Sequence, residues 1–112
     1  PTALGILAAT ESAGRDDELF ITGVDGSPDG VDAVQEGTAL MATAAQNPAQ
    51  IAEYGLEYGL RLLEGEEVEE GLEMTEEEAK NSDKIPESVI VDVKLITEDN
   101  AENFSWSNWD AE

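Results

Sequence analysis

The chain has 112 residues, 27 acidic and 5 basic, for a formal net charge of -22, and it holds no cysteine and no histidine. That length bounds it to one domain at most. The charge argues against nucleic acid and anionic membrane surfaces as partners, since both repel it. Without cysteine there are no disulfides, no thiol catalysis and no thiolate metal sites. Without histidine the commonest general base and the commonest zinc ligand are also absent. No apolar run approaches the roughly 20 residues that cross a bilayer, and no signal peptide opens the sequence. The excess of carboxylates reads as solubility or as adaptation to high salt.

Pro1–Ala13 reads as a helix, with Leu4, Leu7 and Ala8 at helical spacing and Gly14 as its stop. It begins at Pro1 without a preceding cap, so a fragment or a mature form cut from something longer is expected. Leu19–Val24 is an apolar, partly β-branched run suited to a strand buried on both faces. Asp25–Asp29 forms a loop; Ser27 caps and Pro28 opens a helix that runs to about Glu36, with Val31 and Val34 inward and Gly37 at its end. Ala39–Ala45 is a second buried strand. Helix, strand, helix, strand in that order predicts parallel strands flanked by helices.

Gln46-Asn47-Pro48 breaks the pattern, and Pro48–Leu63 turns helical on Ile51, Tyr54, Gly55, Tyr58, Leu62 and Leu63. Arg61 near its end suits the helix dipole, and Gly65 follows. Glu64–Glu78 is an acidic run that reads as a solvated loop, with a marginal helix around Thr75–Lys80. Ser88–Ile96 alternates and reads as one strand. Trp106 and Trp109 stand in a polar tail, expected to tuck against the body of the protein or to stack on a ligand.

Catalysis finds little support. There is no Ser/His/Asp set, no P-loop and no Gly-rich dinucleotide fingerprint, and paired carboxylates carry little information in so acidic a chain. The chain is therefore read as a non-enzyme without cofactor or bound metal. One motif tempts otherwise. Asp25, Ser27, Asp29, Gly30 and Glu36 match an EF-hand loop at its first, third, fifth, sixth and twelfth positions. Against calcium stand the strand before it, Asp32 at the normally apolar eighth position, and Pro28 inside the loop. A calcium-binding module at Asp25–Glu36 stays as an alternative. The better reading is ligand capture at strand ends, where open α/β sheets bind their ligands. Asp25 ends the first strand and Gln46 the second. A carboxylate accepts from adjacent hydroxyls and an amide both accepts and donates, which suits a neutral polyol. The bland alternatives are helix capping for Asp25 and backbone satisfaction for Gln46.

Three stretches carry a resemblance: G-V-D-G-S-P-D-G-V-D-A-V-Q-E-G, then A-T-A-A-Q-N-P-A-Q-I, then G-L-R-L-L-E-G-E-E-V. With the opening T-A-L-G-I-L-A-A-T-E-S-A-G, they resemble the C-terminal portion of type I periplasmic sugar-binding proteins, above all the ribose-binding branch that feeds ABC transporters. The resemblance runs from Pro1 to about Asn100; the insert Glu64–Glu87 and the Trp-bearing tail depart from it. It implies an incomplete Rossmann-like three-layer lobe of the periplasmic-binding-protein type I fold. Residues 1–45 would belong to the C-terminal lobe. Residues 46–88 would hold a crossover, a helix and the acidic insert of the N-terminal lobe, and 89–112 a return crossover strand and the tail. Asp25 and Gln46 would bond sugar hydroxyls. Gln46, Asn47, Val91 and Asp92 would form hinges, the last two within a crossover at Val91–Lys94. The family's Asn-Asp asparagine would fall before Pro1, and its first-lobe aromatics and arginines are absent here.

The implied partners are a sugar and ABC membrane subunits, with no nucleic acid. The implied location is periplasmic or extracellular, with a lipid anchor in a full-length parent as one form. An incomplete lobe should expose apolar surface unless a homodimer, a domain swap or the missing part covers it, and it should not hold sugar tightly alone. The effector domain of a lactose-repressor-like regulator shares the fold and is the second reading. No DNA-binding headpiece accompanies it in this sequence.

Self-repulsion of this size makes salt a stabiliser. The melting temperature should rise between about 0.1 M and about 1 M NaCl, as the Debye length falls from about 10 to about 3 Å. A flat or falling melting temperature by circular dichroism would show that repulsion does not limit the fold.

Overall fold

The computed structural model describes residues 2–109. In chain order the elements are α1 (Thr2–Ser12), β1 (Ile21–Asp25), α2 (Pro28–Gln35), β2 (Leu40–Gln46), α3 (Pro48–Leu63), β3 (Val68–Thr75), α4 (Glu76–Lys80), β4 (Ile85–Ile90), β5 (Val93–Thr97), α5 (Glu98–Ala101) and a 3-10 turn (Trp106–Asn108). They divide into two compact units, one of residues 2–46 with 93–109, the other Asn47–Asp92.

The first unit is a sheet in the order β1-β2-β5 with its helices packed on one face. As expected, β1 and β2 run parallel, with Val24 opposite Ala44 and Asp25 opposite Ala45. β5 joins β2 antiparallel, with Lys94 opposite Ala45 and Val93 opposite Gln46, so this sheet is mixed. The covered face carries Leu40, Ala45 and Ile96, each at most 1 % exposed, and Val34 of α2 seals it. Burying each large side chain stabilises the unit by about 1.5–3 kcal/mol. Leu7 is buried and Leu4 packs on the core, but Ala8, read as part of that stripe, is exposed, and Ala3 packs inward instead. α1 ends at Gly14, whose φ of 63° lets its N–H reach the Glu11 carbonyl at 2.9 Å.

The opposite face is bare. Register places Val24, Ala42, Ala44, Leu95 and Val93 on it, and Val24 and Leu95 are each 62 % exposed. Parallel strands ordinarily have both faces covered; Leu19–Val24, read as buried on both faces, is covered on one only, and the open apolar surface is the one expected of an incomplete lobe.

The second unit corrects two readings. Val68–Thr75, read as a solvated loop, is a strand paired in parallel with β4. Its glutamates lie exposed while Met74 is buried, and Gly71, at φ 76°, sits where the register shifts. Ser88–Ile96, read as one strand, is two: β4 pairs with β3 and β5 with β2, parted at Val91 and Asp92. The short helix expected near Thr75–Lys80 is present as α4. Thr75 Oγ1 accepts from Glu78 N–H, and the Glu78 carboxylate accepts from Thr75 N–H at 2.8 Å. α3 keeps its predicted span but buries none of its residues; Tyr54 and Tyr58 stack at 5.9 Å on its inner side. Arg61 does more than meet the helix dipole. It pairs with Glu66 at 2.6 Å and donates to the Asp83 carbonyl, tying the end of α3 to the segment before β4.

Two exposed carboxylates make the stability of this second unit depend on pH. Arg61 donates to Glu66, and the Thr75 N–H donates to Glu78, which holds both carboxyls below their ordinary value of 4.5. A carboxyl lowered in the folded state adds stability above its unfolded value and loses it as pH falls through the folded one. The chain's two tyrosines, Tyr54 and Tyr58, both lie in this unit. Their near-ultraviolet dichroism should therefore fade as pH drops below 4.5. A signal unchanged far below that range would dismiss the role of both contacts.

One close approach fixes the end of β1. Gly26 has φ 61°, and a Cβ there would stand 2.5 Å from the Ala45 Cβ. Its N–H donates to the buried Thr43 Oγ1 at 3.1 Å. Gly26→Ala should cost about 2–4 kcal/mol, from overpacking and positive φ together. Gly14→Ala, at a similar φ with nothing within 4 Å, should cost about 1 kcal/mol. Urea melts would measure both; equal costs would remove steric crowding as the cause.

Candidate ligand site at the strand ends

Asp25 is the last residue of β1 and Gln46 the last of β2, and both are exposed. Parallel pairing brings the two ends together, with Gln46 one residue past the partner of Asp25. Gln46 continues the row of Ala44 on the bare face, opposite Val93. Asp25 pairs with Ala45, but its positive φ takes it out of the extended pleat, so the alternation does not set the direction of its side chain.

Asp25 has a φ of 107°, the one positive value among described residues other than glycine. Such a conformation costs of order 1–3 kcal/mol and persists where the surroundings over-determine it. Here the Gly26 contacts with Thr43 and Ala45 do so. Asp25 lines a groove of about 280 Å³ with Thr2, Ile6, Thr22 and Val24. Threonine hydroxyls and a carboxylate beside apolar surface can hold a polyol by hydrogen bonds and by contact with its carbon skeleton. Thr22 belongs to β1 itself, whereas Thr2 could not be placed from the sequence, because only the packing of α1 along β1 brings it to Asp25. Gln46 does not line this groove.

The other expected residues fall where the chain passes from one unit to the next. Asn47 caps α3, its Oδ1 accepting from Gln50 N–H at 3.3 Å. Val91 is half-buried and Asp92 exposed, between β4 and β5. The calcium reading of Asp25–Glu36 fails on the backbone. Helix begins at Pro28, so the chain leaves the turn after Ser27 and cannot wrap an ion. Among the described residues no group of three or more acidic side chains is placed to hold a metal. Of the two tryptophans, Trp109 is buried and Trp106 stays 36 % exposed. They stack at 5.6 Å, and Lys94 donates to the Trp109 carbonyl.

Comparison with known proteins gives the family of the chain. The family described as periplasmic binding protein domain matches residues 1–67. The ribose import binding protein RbsB of Escherichia coli (strain K12) is 46 % identical over 67 residues, 60 % of this chain and 22 % of that protein. RbsB of Haemophilus influenzae is 38 % identical over 96 residues, 86 % of this chain and 26 % of that protein. A periplasmic solute binding protein of an ABC transporter from Actinobacillus succinogenes, solved with bound D-allose, superposes with a TM-score of 0.65 at 22 % identity, covering 91 % of this chain and 30 % of that one. The chain thus spans about a quarter of the length of these curated relatives. Its parallel β1–β2 pair with helices packed against it is the fold of that neighbour, and the chain belongs to the periplasmic binding protein domain family.

Proposed function

We propose that this chain supplies one wall of a carbohydrate cleft in a sugar-binding component of an ABC-type uptake system. The observation that carries the reading is Asp25, held at φ 107° on the C-terminal end of β1 in a groove with Thr2 and Thr22. A carboxylate so placed accepts from two vicinal hydroxyls of a neutral sugar. The identity to proteins named for ribose import supports a sugar as ligand and supports transport over the repressor-like alternative. Gln46 contributes from the neighbouring strand end, and Gln46, Asn47, Val91 and Asp92 act as hinges between the two units. The role is binding and not catalysis. The protein works in the periplasm or outside the cell, lipid-anchored in one form of a full-length parent, and hands sugar to ABC membrane subunits.

The bare face of the first unit fits this reading. Val24, Leu95, Val93 and Met41 are each more than half exposed, and the relatives are about four times longer than the segment matched.

The test is a protein of the relatives' full length that carries this segment, titrated calorimetrically with D-ribose and D-allose. One of the two should bind, and Asp25→Ala should weaken it by about 10- to 100-fold, the range for a lost hydrogen bond to a charged group. Unchanged affinity in the variant would sink the role of Asp25. Absence of binding to either sugar, or to any other pentose or hexose, would sink the reading itself.

A further inference from the structure

The first unit has a second concavity that shares no residue with the Asp25 groove. It measures about 400 Å³ and lies between the start of α2 and the aromatic tail, with Pro28, Val31 and Asp32 facing Ser105, Trp106 and Ser107. This falls within the roughly 300–1,000 Å³ of small-molecule sites.

Its aromatic wall is pre-oriented. Trp106 stacks on Trp109 with 7° between the ring planes, and the Phe104 and Trp106 rings lie 5.4 Å apart at 75°. Trp109 is itself anchored, 8 % exposed, with the Lys94 ammonium 5.5 Å from its ring centroid. Backbone and side-chain bonds brace the turn: Asn108 Oδ1 accepts from Ser105 N–H at 2.9 Å, and Asn108 Nδ2 donates to the Asn103 carbonyl at 3.1 Å. Trp106 is therefore held as a fixed platform where it lines the groove, 36 % exposed.

The polar groups around it match the platform. The Asp32 carboxylate is exposed on α2. Ser105 and Ser107 bond each other at 2.8 Å, which leaves lone pairs on both hydroxyls. An aromatic face beside hydroxyls and one carboxylate suits a ring with an apolar C–H face and equatorial hydroxyls. The net charge of -22 disfavours anions. A quaternary ammonium is served best by rings facing it from several sides, whereas here Trp109 is turned onto Trp106 and Lys94. We propose that this groove is a saccharide subsite, taking one neutral pyranose ring against Trp106 with Asp32 and Ser107 as hydroxyl partners. The inference stands apart from the strand-end reading, since none of these residues lines the Asp25 groove.

The 112-residue chain tests it directly, because Trp106 and Trp109 are its only tryptophans. Titration with methyl β-D-glucopyranoside and with maltose should give a saturable change in tryptophan emission. Trp106→Ala should abolish the change, and Asp32→Ala should weaken apparent affinity about tenfold, a lost hydrogen bond to a charged group. Asp25→Ala should leave it untouched, which separates this site from the strand-end one. If Trp106→Ala fails to fold, Asp32→Ala and Ser107→Ala, both exposed positions, carry the test. The proposal is overturned if the unaltered chain shows no saturable change, if the change survives Asp32→Ala and Ser107→Ala at full affinity, or if tetramethylammonium gives a tighter response than either sugar.

Discussion

The contact between Gly26 and β2 is the constraint on which the first unit depends. Its N–H reaches the buried Thr43 hydroxyl at 3.1 Å, and its missing Cβ makes room for Ala45. An orphaned buried N–H would cost about 1–3 kcal/mol, so the chain has one economical path past this point. That path turns β1 into α2 within two residues, Gly26 and Ser27. It delivers Val31 and Val34 to the core and leaves Asp25 at φ 107° on the rim. The strained rim residue and the packed core are thus two results of one contact.

Against a net charge of -22, the few cations act locally. Four of the five basic residues have a named structural partner. Arg15 pairs with Glu18 and Lys84 with Glu69, while Arg61 gathers Glu57, Glu66 and the Asp83 carbonyl. Lys94 bonds the Trp109 carbonyl and lies over its ring. Exposed pairs contribute little singly. Their importance here is positional: Lys84–Glu69 lies on β3, which has three glutamates among its eight residues, and Arg61–Glu66 lies just before it. The bond from Gly71 N–H to the Glu87 carboxylate at 2.6 Å adds to this pairing without requiring any cation.

The exposed sheet face departs from the ordinary rules of α/β packing, in which a parallel pair has both faces covered. The chain spans about a quarter of the length of the curated relatives it matches. α3 is likewise amphipathic in sequence and has no buried residue.

Local signals in the sequence determined much of the first unit. Gly14, Pro28, Gly37 and the Asn47-Pro48 pair punctuate the chain by backbone sterics alone, so α1, β1, α2, β2 and α3 were legible with ends shifted by a residue or two. The quoted motifs likewise carried the family. What the sequence left undecided depends on contacts between distant residues. A glutamate run has poor strand propensity, and Val68–Thr75 becomes a strand only because Ile85–Ile90 lies beside it. The alternation through Ser88–Ile96 contains no glycine or proline to mark its break; the two halves part because each finds a different partner strand. Thr2 joins Asp25 only through the packing of α1, and register alone sets Gln46 on the bare face. Local sterics can be read one residue at a time, but pairing partners, faces and grooves exist only once the chain has closed on itself.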